Sequence, residues 1–284
     1  MAYSLKRSKE IKRMALEFGV STTSEMLDVS EESIKRAIRT AEASFLAQEE
    51  PNLGGAIPKT RLKKKGRGSR VLVIGDIHAP FDLPSYFAHC CDVQDRYDCD
   101  EVVFIGDVID NHFSSYHETS ADGMGGGNEL NQAKERLKRY YKRFPNATVI
   151  IGNHDRMIMR KAQTSAIPAA WIKEYKDVLN TPNWNFTNRV VIDGVQYIHG
   201  EGGTARTKSR KDLISTVQGH LHTQAYTEWT VGQRYKIFGC QVGCGVDHES
   251  YAMAYAKNFP KPAIGCAVII DGKVCINELD SLGS

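Results

Sequence analysis

Five short segments place side chains that bind metals or transfer protons directly after apolar runs. In chain order they are GDIH (75–78), GDVID (106–110), GNHD (152–155), IHG (198–200) and GHLH (219–222). Carboxylates, an amide oxygen and imidazoles suit hard to borderline divalent cations. One carboxylate can bridge two cations about 3.5–4 Å apart, and such a pair binds a phosphate and makes hydroxide from water near neutral pH. Turn chemistry alone would favour Asn, Asp and Gly but would not explain the repeated histidines.

The apolar runs before these segments are predicted strands. From residue 71 onward they alternate with helical segments, which is an α/β pattern that becomes mostly β after residue 185. The crevice beyond the carboxyl ends of strands is where α/β sheets bind ligands. We therefore expect the five segments to meet at one such crevice.

In this order and at these separations, the segments resemble the calcineurin-like metallophosphoesterase superfamily over roughly residues 71–280. The resemblance implies a layered αββα sandwich and two divalent metal ions. Manganese is the first expectation, with iron, zinc, nickel or magnesium as alternatives.

The resemblance also implies a role for each matching residue. One metal would be held by Asp76, His78 and His222, the other by Asn153, His199 and His220, with Asp107 between them. His154 would face the phosphate, with Asp110 orienting its imidazole. Asp155 is a less certain orienter that could instead cap the following helix.

The sequence departs from the Ser/Thr protein phosphatase branch in two ways. That branch has an Arg directly after GDxxD, where this chain has Asn111, and it lacks the compact GHxH. The chain is therefore more similar to the phage and bacterial side of the superfamily, which is rich in nucleases and phosphodiesterases. Arg156 could supply the missing phosphate contact, or it could be a solvated helix residue.

The N-terminal residues 1–46 are predicted to form a small all-α helix-turn-helix domain. Apolar residues recur at helical spacing up to a stop at Gly19. Thr22 with Glu25 predicts a capping box for a short second helix, and Ser30 predicts the cap of a basic third helix.

Positive charge is concentrated at this end of the chain. Residues 1–70 carry 15 Lys/Arg and 9 Asp/Glu, whereas the remaining residues carry 22 and 25. A basic linker is predicted over 47–70 and the catalytic domain over 71–284. The candidate nucleic-acid contacts are Lys35, Arg36, Arg39, Lys63, Lys64, Lys65 and Arg67.

Two loops are candidates for substrate contact. Residues 111–130 are glycine-rich and could form a mobile flap, in which His112, Tyr116 or His117 would touch substrate, or an ordinary surface loop. Residues 239–265 resemble the loop before the last strands in phage-type members and are expected to face substrate.

Composition indicates a soluble globular protein, expected in the cytoplasm. No apolar run reaches the roughly 20 residues of a membrane helix, and no apolar stretch follows the basic start as in a secretion signal. The seven cysteines form no CxxC pair, so a disulfide framework is not expected.

We therefore predict a two-metal phosphodiesterase or nuclease that cleaves nucleic acid by in-line attack of metal-bound hydroxide. The alternative is a phosphomonoesterase acting on a nucleotide or phosphoprotein, with the N-terminal helices used for oligomerisation. A DNA-binding regulator that keeps only the shell of an enzyme is disfavoured, because every ligand position is filled.

Overall fold

The computed structural model describes residues 4–38, 68–115, 123–256 and 260–280. The chain divides into two compact units, Met1–Lys59 and Thr60–Ser284. No helix within the described ranges is long and apolar enough to cross a membrane. The predicted linker, 47–70, lies outside the described residues except for its last three.

The described part of the N-terminal unit, residues 4–38, is helical. Its helices are α1 (Leu5–Phe18), α2 (Val20–Leu27) and α3 (residues 31–38). The predicted stop at Gly19 is confirmed, and the Ser30 hydroxyl caps α3 by accepting from the Ser33 N–H at 3.3 Å. The predicted capping box at Thr22 is wrong, because α2 starts directly after Gly19 and Thr22 lies inside it. The three helices fit a helix-turn-helix, which stays a prediction.

The second unit contains two sheets. The first has the order β11-β10-β1-β2-β3-β4 and the second the order β5-β6-β7-β9-β8. Strands β1 to β4 are parallel neighbours in the first sheet, as are β6, β7 and β9 in the second. The strands are β1 (Arg70–Ile74), β2 (Glu101–Phe104), β3 (Thr148–Ile150), β4 (Asn185–Thr187), β5 (Val190–Ile192), β6 (Val195–Ile198), β7 (Ser215–Gln218), β8 (Tyr226–Val231), β9 (Lys236–Gln241), β10 (Gly265–Ile270) and β11 (Val274–Leu279).

The described residues of this unit include five α-helices. They are α4 (Tyr86–Tyr97), α5 (Gly126–Arg143), α6 (Met157–Thr164), α7 (Tyr175–Leu179) and α8 (Ala205–Asp212), with short 3₁₀ helices at His112–Ser114, Ala169–Trp171 and Tyr251–Ala256. All seven cysteines are free thiols.

The alternation of side chains along β1 explains the layers. Val71 and Val73 enter a core shared with Val195 and Val217 of the second sheet, so the two sheets pack face to face. Leu72 and Ile74 point to the opposite face of the sheet, into a core shared with α4 and α5. Helix α8 packs on β7 and β9 of the second sheet. The result is a mixed α/β fold consistent with the predicted sandwich.

The apolar stretch before the IHG segment, residues 190–200, is predicted as a single strand but contains two. It folds as a hairpin of β5 and β6, with Asp193 and Gly194 at positive φ in the turn. An Asp-Gly pair between apolar runs favours a two-residue hairpin, because both turn positions need positive φ.

Candidate metal centre

Three of the five segments follow parallel strands of the first sheet. Because β1, β2 and β3 are parallel neighbours, their carboxyl ends meet at one edge. Asp76 and His78 follow β1, Asp107 follows β2, and Asn153 follows β3. The N–H of His78 donates to the carbonyl of Asp107 at 2.9 Å, which fixes the first two loops together.

The other ligand candidates come from the second sheet. His199 follows β6, and His220 and His222 follow β7. The His220 N–H donates to Asp76 Oδ2 at 2.8 Å, so a hydrogen bond joins the loops of the two sheets. The predicted crevice therefore lies where the edges of two sheets meet, and not along the edge of a single sheet.

The donor atoms form overlapping groups around Asp107. Within each group the ligand atoms lie within 4.8 Å of one another, and the groups are Asp76–His78–His222, His78–Asp107–His154 and Asp107–His199–His220. Asp107 Oδ2 is 3.6 Å from His78 Nε2 and 3.1 Å from His199 Nε2. Asn153 Oδ1 completes the second side at 2.9 Å from His199 Nε2.

Hydrogen bonds on the far side of the rings turn Nε2 atoms into the cluster. His78 Nδ1 donates to Asp110 Oδ1 at 2.6 Å, and His199 Nδ1 donates to the carbonyl of Ile105 at 3.0 Å. Fixing Nδ1–H in this way leaves Nε2 as the lone-pair donor, which is how metal-binding histidines are oriented.

The residues fit divalent cations. His78 Nε2 faces His222 Nε2 at 3.1 Å, two nitrogen atoms that a shared cation would satisfy together. Among the described residues, the buried Asp76 Oδ1 has no hydrogen-bond partner, and a buried carboxylate oxygen left unpaired is costly. Oxygen and imidazole donors without thiolate match the chemistry expected from the sequence.

Glycines let the loops approach this closely. At Gly106, φ is +112°, and a Cβ there would overlap the ring of His199. A Cβ at Gly152 would overlap the Asp107 carboxylate. Both glycines are therefore required by contact across the site, and Gly106 by its backbone conformation as well.

The electrostatics of the cluster are dominated by burial and mutual charge. Burial favours the neutral form of Asp107, but the charges of His199 and His154 hold the pKa of its carboxyl well below the usual range. Burial lowers the pKa of His154, but the Asp107 charge and the hydrogen bond to Asp110 raise it to about 10. Burial also lowers the pKa of His199, but the charge of Asp107 opposes it, and that pKa rises to about 9. In the metal-free protein both histidines are therefore protonated at neutral pH.

The contact between His154 and Asp110 differs in detail from the predicted one. His154 Nδ1 donates to the backbone carbonyl of Asp110 at 2.7 Å and lies 3.3 Å from its Oδ1. The Asp110 carboxylate is closer to His78, so this side chain orients a predicted metal ligand, which the sequence did not suggest. Arg156 pairs with Glu201, and its predicted phosphate contact remains a prediction.

Asp155 is a residue whose role the sequence left open. Its buried carboxylate accepts from the N–H groups of Asp107 and Gly152 at 2.8 Å each and from Ile109 at 3.3 Å. It neither orients His154 nor caps α6, whose N-cap is Arg156. It clamps the loop after β2 to the loop after β3.

The predicted flap is partly helix. Residues 126–130 form the first turns of α5, and Glu129 there accepts from the N–H groups of His112 and Phe113 at 2.7 and 3.2 Å. His112 is buried, with its ring against Tyr251. Tyr116 and His117 lie outside the described residues.

The predicted substrate loop, 239–265, is largely structural at its start. Residues up to Gln241 belong to β9, and 242–246 are buried, with Gly245 donating from its N–H to the carbonyl of Asp76 at 2.8 Å. This stretch therefore supports the loop after β1 from behind.

Of the predicted nucleic-acid contacts, only two are described. Lys35 and Arg36 lie exposed on α3, and Lys35 pairs with Glu31 at 3.3 Å. The predicted contacts Arg39, Lys63, Lys64, Lys65 and Arg67 lie outside the described residues.

Two face-to-face sheets with this donor cluster at their edge define a metal-dependent hydrolase of phosphoesters. The particular family follows from its sequence: residues 69–244 match the model of the calcineurin-like phosphoesterases, and the chain belongs to that family. The predicted superfamily is thus confirmed, whereas the branch within it stays a prediction. A comparison with curated proteins gave no match.

The solved structures that the chain matches include two with low sequence identity. One is vacuolar protein sorting 29 from Cryptosporidium parvum, with 15% identity and a TM-score of 0.38 over 75% of this chain and 97% of that chain. Another is Yfce, a phosphoesterase from E. coli, with 13% identity and a TM-score of 0.35 over 70% of this chain and 87% of that chain.

Proposed function

We propose that this protein is a two-metal phosphodiesterase that cleaves nucleic acid. The observation that carries the proposal is the position of the Asp107 carboxylate between two donor sets, with one oxygen 3.6 Å from His78 Nε2 and 3.1 Å from His199 Nε2. Asp76, His78 and His222 would hold one cation and Asn153, His199 and His220 the other. Two bound cations would neutralise phosphate charge and lower the pKa of water.

The chain's own residues then divide the remaining work. The Nδ1–H of His154 is engaged by the carbonyl of Asp110, so its Nε2 is the atom available to a phosphate oxygen or a leaving group. Its ring is 13% exposed, whereas those of His78 and His199 are almost fully buried. His154 therefore lies on the open side of the cluster, where it can donate a hydrogen bond or a proton.

A diester fits this site better than a monoester. A monoester dianion gains most from an added guanidinium, which binds phosphate oxygens in pairs. Here the Asn111 amide donates to the His154 carbonyl at 2.9 Å, and Arg156 pairs with Glu201. Across the described residues, the ion pairs of Asp76, Asp107 and Asp110 are all to histidines.

Nucleic acid is the proposed diester because the chain carries basic groups outside the site. Residues 1–70 carry six more Lys/Arg than Asp/Glu, 15 against 9. Lys35 and Arg36 on α3 are exposed and would contact phosphates, so the helical unit would bring the polymer to the catalytic unit.

The proposal is tested by supplying the Mn²⁺-loaded full chain with bis-p-nitrophenyl phosphate, p-nitrophenyl phosphate, and single- and double-stranded DNA. We expect turnover of the diester and of DNA, with little turnover of the monoester. Monoester turnover without DNA cleavage would instead identify a phosphomonoesterase.

The role of the helical unit in bringing DNA to the site, here called the targeting role, is tested with variants of the full chain. The double variant Lys35→Gln/Arg36→Gln should weaken DNA binding at low salt, and the loss should shrink as salt rises, because phosphate contacts are screened. Lys138→Gln/Lys142→Gln, which removes two exposed charges from α5, is the matched control. Equal DNA affinity for the double variant and the control would refute the targeting role.

A further inference from the structure

We infer that residues 157–173, here called the Trp171 segment, bind single-stranded nucleic acid by stacking a base on Trp171. The inference rests on the proposed function and deepens it, since it names the form of the polymer and a path for it beyond the metal centre. The segment comprises α6, the turn after it and the 3₁₀ helix that ends at Trp171.

The Trp171 side chain is left in water. It is 81% exposed, whereas Trp184 is 2% and Trp229 is 37% exposed. Ile158 and Ile167 of the same segment are also exposed, at 37% and 44%. A tryptophan normally buries most of its large ring, so an exposed ring in a segment that also exposes two isoleucines indicates a surface that binds a partner.

The charge around Trp171 selects an anionic partner. The Trp171 segment contains three Lys/Arg and no Asp/Glu, although residues 71–284 as a whole contain 22 Lys/Arg and 25 Asp/Glu. Residues 71–284 are therefore slightly acidic overall but basic in this stretch. Basic side chains beside an exposed aromatic ring are the combination that binds single strands, whose phosphates and unpaired bases are contacted together.

The segment starts at the metal centre itself. The N–H of Met157 donates to the carbonyl of His154 at 3.1 Å, so the first turn of α6 is fixed to the loop that carries His154. An eight-residue helix is about 12 Å long. After it, Ala166 at positive φ turns the chain, the Ile167 N–H donates back to Ala162 at 2.8 Å, and the 3₁₀ helix contacts α6.

This geometry limits the length of strand that reaches the ring. Because the 3₁₀ helix contacts α6, Trp171 lies within about one helix length and one side-chain contact of the His154 loop, a separation that a few nucleotides of single strand span. A strand whose scissile phosphate lies at the metal centre would therefore place a base on Trp171 a few nucleotides away. A duplex cannot do so, because its bases are paired and stacked on each other.

The test measures binding separately from cleavage. The metal-loaded full chain is titrated with fluorescent phosphorothioate oligothymidylates of 2, 4, 8 and 12 nucleotides, which resist hydrolysis, and anisotropy is followed. Trp171→Ala should bind the 12-mer about 5- to 100-fold more weakly, the range for losing one stacked base. Trp171→Phe, which keeps a ring, should recover most of the affinity. Val231→Ala, at an equally exposed apolar position on β8 (70% exposed), is the matched control and should bind like the wild type.

The outcomes separate this inference from the proposed function. The affinity ratio between wild type and Trp171→Ala should grow with length between 2 and 8 nucleotides. Unchanged 12-mer affinity in Trp171→Ala would overturn the inference, and so would a variant that changes only the oligomeric state on size exclusion, because the surface would then bind protein. If oligonucleotide binding depends on Trp171 but bis-p-nitrophenyl phosphate is not hydrolysed, the stacking site stands and the proposed function fails.

Discussion

Asp110 contacts both His78 and His154, and substituting it tests which of the two histidines its carboxylate orients. In Asp110→Asn, the backbone carbonyl that accepts from His154 Nδ1 is unchanged, so the His154 ring keeps its orientation. The negative charge on the group that accepts from His78 Nδ1 at 2.6 Å is lost, and a neutral amide oxygen is left as the acceptor, at a place where both side chains are almost fully buried. The variant should therefore act on the predicted metal ligand His78 more than on His154.

The magnitude follows from the type of hydrogen bond. A hydrogen bond to a charged group contributes about 1.5–3 kcal/mol, and changing the partner of a metal-binding histidine costs about 10- to 100-fold in metal affinity or activity. We expect Asp110→Asn to bind Mn²⁺ about 10- to 100-fold more weakly. Much of the lost turnover should return when Mn²⁺ is raised to saturation.

Metal affinity is measured by competition with a chromogenic chelator, and turnover with bis-p-nitrophenyl phosphate at several Mn²⁺ concentrations. Asp92→Asn, an exposed carboxylate on α4, is the matched control and should behave as wild type in both assays. Unchanged metal affinity with reduced kcat at saturating Mn²⁺ would contradict the reasoning. It would show that the carboxylate acts through His154, as the sequence alone had suggested.

Four further predictions concern the same cluster. Asp107→Asn should reduce the metal content of both sites, because an amide offers one good donor atom, and elemental analysis checks this. His154→Gln should keep its metal content but lose about 10²–10³-fold in turnover, so loss of metal would make His154 a ligand. Asp155→Ala leaves three N–H groups without their acceptor and should lower the free energy of unfolding by about 3 kcal/mol or more in urea denaturation. The chelated protein should lose stability as pH rises through about 9 and 10, because folding raises the pKa of His199 and of His154 to these values. The stabilisation from their protonation is complete only below the ordinary histidine pKa of 6.5. A melting temperature that does not change between pH 7 and 10 would contradict this.

The sequence predicted the places where strands end better than the contacts made there. Each ligand segment follows directly on a strand, because a buried strand and the polar loop after it differ sharply in composition. Which side chain a loop carboxylate contacts depends on the packing of other loops. For this reason Asp155 and the carboxylate of Asp110 could not be assigned from spacing.

Two elements were missed for local reasons. The Asp193–Gly194 turn was a readable hairpin signal, but the apolar residues on both sides of it suggested one strand. Helix α8 has almost no apolar stripe, since its sequence is ARTKSRKD, and it is positioned by packing on β7 and β9. Thr22 satisfied a capping pattern that the preceding Gly19 made unnecessary. Local patterns describe what a segment can do, and tertiary contacts select among those possibilities.

Because the ligand loops belong to two different sheets, a bound cation would also act as a cross-link. It would tie the edge of the first sheet to the edge of the second, which the hydrogen bond from the His220 N–H to the Asp76 carboxylate also joins. A ligand present at about 100 times its dissociation constant adds about 2.7 kcal/mol to the stability of the folded state. In a cell short of the metal, we therefore expect the amount of this protein to fall through faster degradation, in addition to the loss of activity in the molecules that remain.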